Sequence, residues 1–142
     1  MFFRELINSS SPVKTWGDLD KDLSGLADDS RKVLQDFCYV AVKGIHADGH
    51  DYISRALESG ATAIIAESEP SEDIIEQGIT WVQLRDTCRE LPRLAATWYR
   101  FPAQDMKVLA VTGTNGKTTT AYLIHSIFEQ IQHRAGLIAT II

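Results

Sequence analysis

The residues with the plainest chemical potential in this chain are Gly113-Thr114-Asn115-Gly116-Lys117-Thr118-Thr119, set between the apolar run Val108-Leu109-Ala110-Val111 and a helix-forming stretch. A strand that turns on two glycines into a helix aims a row of backbone N–H groups at one point, and the positive end of the helix dipole adds to their pull on an anion. Phosphate suits such a site. Lys117 would reach the terminal phosphates of a nucleotide, and the Thr118 hydroxyl would coordinate Mg²⁺ carried by that nucleotide. The usual formula has a glycine five residues before the Gly-Lys pair, and Val111 stands there instead. The competing reading is a glycine turn capped by Thr114 or Asn115. Against it stand the successive threonines Thr118, Thr119 and Thr120, indifferent helix formers that propensity does not explain.

Asp29-Ser30-Arg31 offers a carboxylate, a hydroxyl and a guanidinium just before an apolar run. Arginine's planar fork suits a diphosphate and serine suits a sugar or base edge, although the triplet taken alone reads as an exposed loop. His46, Asp48 and His50 alternate in a glycine-broken loop, a weak pattern for a metal; Asp48-Gly49 reads most simply as a turn with Asp48 capping the next helix. His125 and His133 fall on the last helix in core or solvated roles, and Trp16, Trp81 and Trp98 read as core residues or loop anchors. Cys38 and Cys88 have no CxxC spacing and no histidine at ligand distance, so both read as buried free thiols of a reducing compartment.

Positioning these groups requires alternating strands and helices. Phe37-Cys38-Tyr39-Val40-Ala41-Val42, Ala61–Ala66 and Ile79–Leu84 are short apolar, β-branched runs that predict strands, with helices over Tyr52–Glu58 and Ser71–Gln77 stopped by Gly60 and Gly78. The alternation implies a parallel sheet. Residues 1–30 are weakly patterned, with a turn at Ser9–Pro12 and a polar loop over Asp18–Asp29. Asp86 can cap a third helix running to about Tyr99, which either kinks at Pro92 or starts later, near Arg89. Past a linker at Arg100–Asp105, Met106–Val111 predicts a strand, Lys117 to about His133 a helix, and Gly136–Ile142 another strand. The fold class is therefore α/β: a small N-terminal α/β domain with a mostly parallel sheet at 1–101, followed at 102–142 by the start of a phosphate-loop ATPase-type α/β domain.

Composition narrows the function classes. The 142 residues are 44% hydrophobic and 23% charged with 9 Gly and 4 Pro, which excludes a disordered or collagen-like chain. No run approaches the ~20 apolar residues of a membrane span. Net charge is -5, yet residues 106–142 carry three basic side chains against one acidic one. A nucleic-acid footprint would need clustered basic residues, so neither nucleic acid nor membrane is an expected partner.

The chain resembles the Mur ligases. Gly113–Thr119 after Leu-Ala-Val-Thr is their ATP-loop form. Upstream, Asp29–Val33, Tyr39–Gly44, Ala47–Ile53 and Gly60–Ile65 resemble, in order and spacing, the N-terminal domain of the MurE type, over about residues 25–142. The resemblance implies a cytoplasmic, ATP- and Mg²⁺-dependent amide ligase of peptidoglycan synthesis, and through it of cell-wall biogenesis, cell shape and cell division; a monomer is the expected state, although nothing in the sequence fixes it. Such an enzyme adds meso-diaminopimelate or L-lysine to UDP-MurNAc-L-Ala-D-Glu through an acyl phosphate. It implies uridine-diphosphate contacts from Ser30, Arg31, His46 and Ala47, and a catalytic role for Lys117 among the nucleotide-binding residues Gly113, Thr114, Asn115, Gly116, Lys117, Thr118 and Thr119, with Thr118 toward the metal. Many members read Gly-His-Gln-Ala-Asp-Gly where this chain has Gly44-Ile45-His46-Ala47-Asp48-Gly49, so a side-chain contact from the first of those positions is lost with Ile45. A MurF-type ligase adding D-Ala-D-Ala, which more often has Ser than Thr at position 114, is the alternative, as is a non-catalytic UDP-sugar or nucleotide-binding module. Folylpolyglutamate synthetases share Gly-Thr-Asn-Gly-Lys but lack the upstream segments. Glu129 is the sole carboxylate after residue 105, so the expectation is an incomplete ligase, inactive alone.

Overall fold

Burial on both faces is what the three apolar runs require, and the sheet supplies it. The computed structural model describes residues 1–45 and 47–139. It divides into two units, Met1–Pro102 and Ala103–Ile142.

In the first unit five strands, β1 (Lys14–Trp16), β2 (Gly25–Ala27), β3 (Phe37–Val40), β4 (Ala61–Ala66) and β5 (Thr80–Gln83), line up in the order β1-β5-β4-β3-β2. The pairs β2–β3, β3–β4 and β4–β5 are parallel, and β1 runs antiparallel along β5, with Trp16 opposite Trp81. Side chains alternate across the central strands: Cys38, Val40, Ala63, Ile65, Val82 and Leu84 pack to one face, and Tyr39, Ala41, Ile64, Ala66 and Trp81 to the other. This explains why β3 and β4 read as unbroken apolar runs and not as half-polar ones.

Helices α1 (Phe3–Ile7) and α4 (Thr87–Trp98) cover the first face through Phe3, Leu6, Ile7 and Leu94; α2 (Ile53–Glu58) covers the second through Ile53 and Ala56, with Ile74 of α3 (Glu72–Glu76) beside them. Each fully buried Ile or Leu here contributes about 1.5–3 kcal/mol relative to exposure.

Several local expectations change. Five-residue α1 and three-residue β1 lie in the weakly patterned first thirty residues, and three-residue β2 lies within the stretch that reads as a polar loop. Asp86 caps α4 by accepting the Arg89 N–H at 2.8 Å, and the helix starts at Thr87 and continues past Pro92 to Trp98. Proline at the sixth helical position leaves the Cys88 carbonyl without its i+4 donor; Cys88 and Pro92 are both exposed, where water can take that bond. Cys88 is thus a solvent-facing thiol and not a buried one, whereas Cys38 is buried, which pushes its thiol up well beyond the ordinary range.

In the second unit α5 runs Lys117–Gln130 and stops short of His133, with Gln132 at φ 58°. Met106–Val111 does not form the expected strand: a strand needs a neighbour for its N–H and C=O groups, and among the described residues 103–139 no strand is present to provide one. Val108 and Leu109 are accordingly exposed. Of the expected strand at 136–142, residues 136–139 are irregular and 140–142 lie outside the described residues.

Among the described residues no helix is long and apolar enough to cross a membrane.

Candidate functional site

Beyond the C-terminal end of β3 the chain doubles back at once. Lys43 and Asp48 pair as an antiparallel bridge, the Gly44 N–H donates to the Ala47 carbonyl at 2.9 Å, and the Gly49 N–H donates to the Val42 carbonyl at 2.8 Å. Gly49 packs so tightly against the strand end that a Cβ there would lie 2.6 Å from the Val42 nitrogen. Tyr39, buried in β3, donates its hydroxyl to the Gly49 carbonyl at 2.9 Å. Burial pushes its phenol up to about 12, so this donor stays protonated.

Asp48 caps the 3₁₀ turn Gly49–Tyr52 by accepting the His50 N–H at 3.0 Å. That amide bond first, and the His50 ring second, hold the Asp48 carboxyl below the usual carboxylate range. His46 lies outside the described residues.

Asp29 organises the second segment. Its carboxylate accepts the Arg31 N–H at 3.0 Å, starting a 3₁₀ turn over Ser30–Lys32, and takes the Arg31 guanidinium as a fork at 2.9 and 2.8 Å. The fork, then the amide bond, lowers the Asp29 carboxyl to about 2. Two of the guanidinium nitrogens, Nε and one Nη, are thereby committed, and the side chain keeps 73% of its surface open. Ser30 beside it is buried.

These segments meet. A cleft of ≈ 450 Å³ at the C-terminal ends of β2 and β3 is lined by Ser30, Arg31 and Ala47, together with Asp29, Tyr52 and Arg55. Ser30, Arg31 and Ala47 are the residues the sequence nominates; Tyr52 and Arg55 read there only as helix residues. Their spacing after the Asp48 cap, on a 3₁₀ turn and the first turn of α2, is the signal that both could face the strand end. A cleft of ≈ 470 Å³ at the start of α4 is as large and holds Arg85, Arg89 and Arg93. Volume does not separate the two; the first lies at the strand ends, where open parallel sheets take ligands.

In the second unit the phosphate loop is shaped by its own backbone. Gly116 stands at the N-cap of α5 with φ 75°, a left-handed conformation that suits glycine, and Gly113 has φ 151°. No side chain caps α5, and its first ladder bond runs from the Thr120 N–H to the Gly116 carbonyl at 2.9 Å. The amides of Lys117, Thr118 and Thr119 precede that bond and so have no acceptor within the helix. The Lys117 ammonium lies across the loop, donating to the carbonyls of Gly113 at 2.5 Å and Thr114 at 3.3 Å. Neither Thr114 nor Asn115 caps the helix, so the plain glycine-turn reading loses its cap. Among the described residues no group of three His, Cys, Asp or Glu side chains could hold a metal. Thr118 is half-buried.

Comparison with known proteins bears on both units. Residues 22–99 match the profile of the Mur ligase family, catalytic domain, and residues 111–142 that of the Mur ligase middle domain. The UDP-N-acetylmuramoyl-L-alanyl-D-glutamate–2,6-diaminopimelate ligases of Bacteroides fragilis and Phocaeicola vulgatus are 38% and 40% identical over 141 residues, 99% of this chain. The chain spans 29% of the length of each. A crystal structure of MurF from Acinetobacter baumannii covers 92% of this chain with a TM-score of 0.68 at 25% identity, the chain covering 28% of it. MurF from Thermotoga maritima in complex with ADP covers 74% of this chain with a TM-score of 0.55 at 31% identity, the chain covering 23% of it.

Proposed function

Since this chain belongs to the Mur ligase family, we propose that it supplies the uridine-diphosphate cleft and the ATP phosphate loop of a MurE-type ligase, which joins 2,6-diaminopimelate to UDP-MurNAc-L-Ala-D-Glu. The observation that carries this reading is similarity to ligases of that name along 99% of the chain, through both units. MurF is the second reading. Solved MurF structures share the fold at 25–31% identity, but the diaminopimelate ligases are nearer in sequence.

The residues divide the work by charge. In the cleft, Ser30 and the Ala47 backbone offer hydrogen bonds to the nucleoside, while Arg31, steered by Asp29, keeps donors for the diphosphate. In the phosphate loop, the first-turn amides and Lys117 receive the terminal phosphates of ATP. Lys117 would exchange the Gly113 and Thr114 carbonyls for phosphate oxygens. It would then offset charge as the substrate carboxylate takes the γ-phosphoryl group to form an acyl phosphate, which the incoming amine attacks with loss of phosphate. The Thr118 hydroxyl would hold Mg²⁺ carried by the nucleotide, and the ion would supply further neutralisation of the phosphates.

Calorimetric titration with UDP-MurNAc-L-Ala-D-Glu, and separately with ATP and Mg²⁺, tests the reading. Both should bind, and Arg31→Ala should weaken the first by about tenfold, as expected for one charge-assisted contact. Binding of neither ligand would overturn the proposal; unchanged affinity in Arg31→Ala would return Asp29-Ser30-Arg31 to a plain loop. Tight binding of a UDP-linked tripeptide in preference to the dipeptide would favour the MurF reading.

A further inference from the structure

His50 sits next to the cleft but does not line it, and its two ring nitrogens are both engaged. Nδ1 lies 2.6 Å from Asp48 Oδ1, and Nε2 accepts the Glu67 N–H at 2.9 Å. An amide N–H has only a proton to offer, so Nε2 must present a lone pair. The ring proton therefore sits on Nδ1 and is donated to Asp48. Glu67 is itself tied down: its Oε1 accepts the Thr87 N–H at 3.0 Å, and the Thr87 hydroxyl donates to the Ala41 carbonyl at 2.7 Å. The imidazole, with 19% of its side chain exposed, thus bridges a loop in which none of the described residues 43–45 and 47–50 is buried to the residue that follows β4.

We propose that His50 is a positioning residue: in its Nδ1–H form it ties Asp48 to the Glu67 amide and so holds the Ala47–Gly49 backbone in the shape that lines the cleft. The inference rests on the cleft being the uridine-diphosphate site. Tyr39 fixes the Gly49 carbonyl from one side of the same turn, and the Val42 carbonyl holds the Gly49 amide. Neither restrains the Asp48 side chain, which among the described residues is engaged by the His50 amide and ring. Removing the ring leaves the Asp48 carboxylate with a single local amide bond and the Glu67 N–H without its acceptor, a cost carried by the loop.

The test is made on the 142-residue chain with UDP as the probe. In ¹⁵N spectra the His50 ring should show a protonated Nδ1 and a bare Nε2; the opposite tautomer would overturn the proposal. In His50→Ala the Gly44 and Gly49 amides should exchange about tenfold faster than in the wild type, and UDP affinity should fall by about tenfold. His50→Gln, whose side-chain oxygen can accept the Glu67 N–H, should recover part of both. Unchanged amide exchange and unchanged UDP affinity in His50→Ala would overturn the proposal. Should His50→Ala fail to fold, the glutamine variant and the ring spectrum still decide it. A wild-type chain that binds no UDP would sink the uridine-diphosphate reading of the cleft, while the exchange rates and the tautomer would still decide the clamp.

Discussion

The cleft of residues 1–102 and the phosphate loop of residues 103–139 both gather hydrogen-bond donors, by different means. In the cleft, Ser30, Arg31 and Ala47 stand on short turns pinned to a sheet whose central side chains are fully buried. Around the phosphate loop no described residue is buried, and the shape comes from two glycines and the first turn of one helix. Cleft geometry is inherited from packing at long range in the sequence; loop geometry is written into seven consecutive residues. A site of the second kind can be read as a motif, whereas one of the first kind can be recognised only when distant segments are known to meet.

The sharpest way to break this contrast is to remove buried volume from each unit. Ile65→Ala empties a fully buried position between α4 and the sheet and should cost about 2–5 kcal/mol. Ile127→Ala, on a side chain 62% exposed in α5, should stay within about 0.5 kcal/mol. Urea unfolding followed by tryptophan fluorescence reads the first unit, where Trp16, Trp81 and Trp98 all lie, and far-ultraviolet circular dichroism adds α5. Equal losses would mean that α5 is packed in solution and that the two regions are not built differently.

A second experiment sharpens the contrast at the level of ligands. Lys117→Ala removes the one ammonium of the phosphate loop and should weaken binding of ATP with Mg²⁺ by about a hundredfold, the scale of a charge-assisted phosphate contact. UDP affinity should not change. Paired titrations of the two ligands measure this, and a parallel loss of UDP binding would show that the two sites are not independent.

The same contrast explains what is legible in the sequence. β3, β4 and β5 are legible because strands buried on both faces must be apolar throughout, and the phosphate loop is legible because its parts are contiguous. β1 is not: Lys14-Thr15-Trp16 has two exposed side chains and is a strand only because β5 lies beside it. Phe3, Leu6 and Ile7 do carry a helical spacing, and α1 can be found from it. The opposite error arises at Met106–Val111, whose apolar run meets no partner strand among the described residues. At the cleft, residue chemistry alone leaves Ser30 and Arg31 as loop residues, and it is the resemblance to a family that nominates them together with Ala47. The roles of Tyr39 and His50 depend on contacts to Gly49 and Glu67 that no local pattern announces.

The smallest expected effect tests whether the cleft is held as firmly as its scaffold. Asp29 has its carboxyl lowered from an ordinary value near 3.8 to about 2 by the Arg31 fork and amide. A carboxylate whose folded-state value is depressed stabilises the fold above its unfolded value and loses that contribution as pH falls through the folded one. The window is therefore about pH 4 down to about pH 2. Over that range the urea midpoint of the wild type should fall more steeply than that of Asp29→Asn, which cannot titrate there. The difference should be slight, because the guanidinium is open to water and solvent screens the pair. Asp48, lowered in the same direction, titrates in both proteins and cancels from the comparison. The direct reading is the ¹³C titration of the Asp29 carboxyl. A midpoint near 2 means that the fork is kept in solution and that Arg31 is delivered to the cleft already oriented. A midpoint near 3.8 would mean that the fork opens, and that this edge of the cleft takes its final geometry only from its ligand.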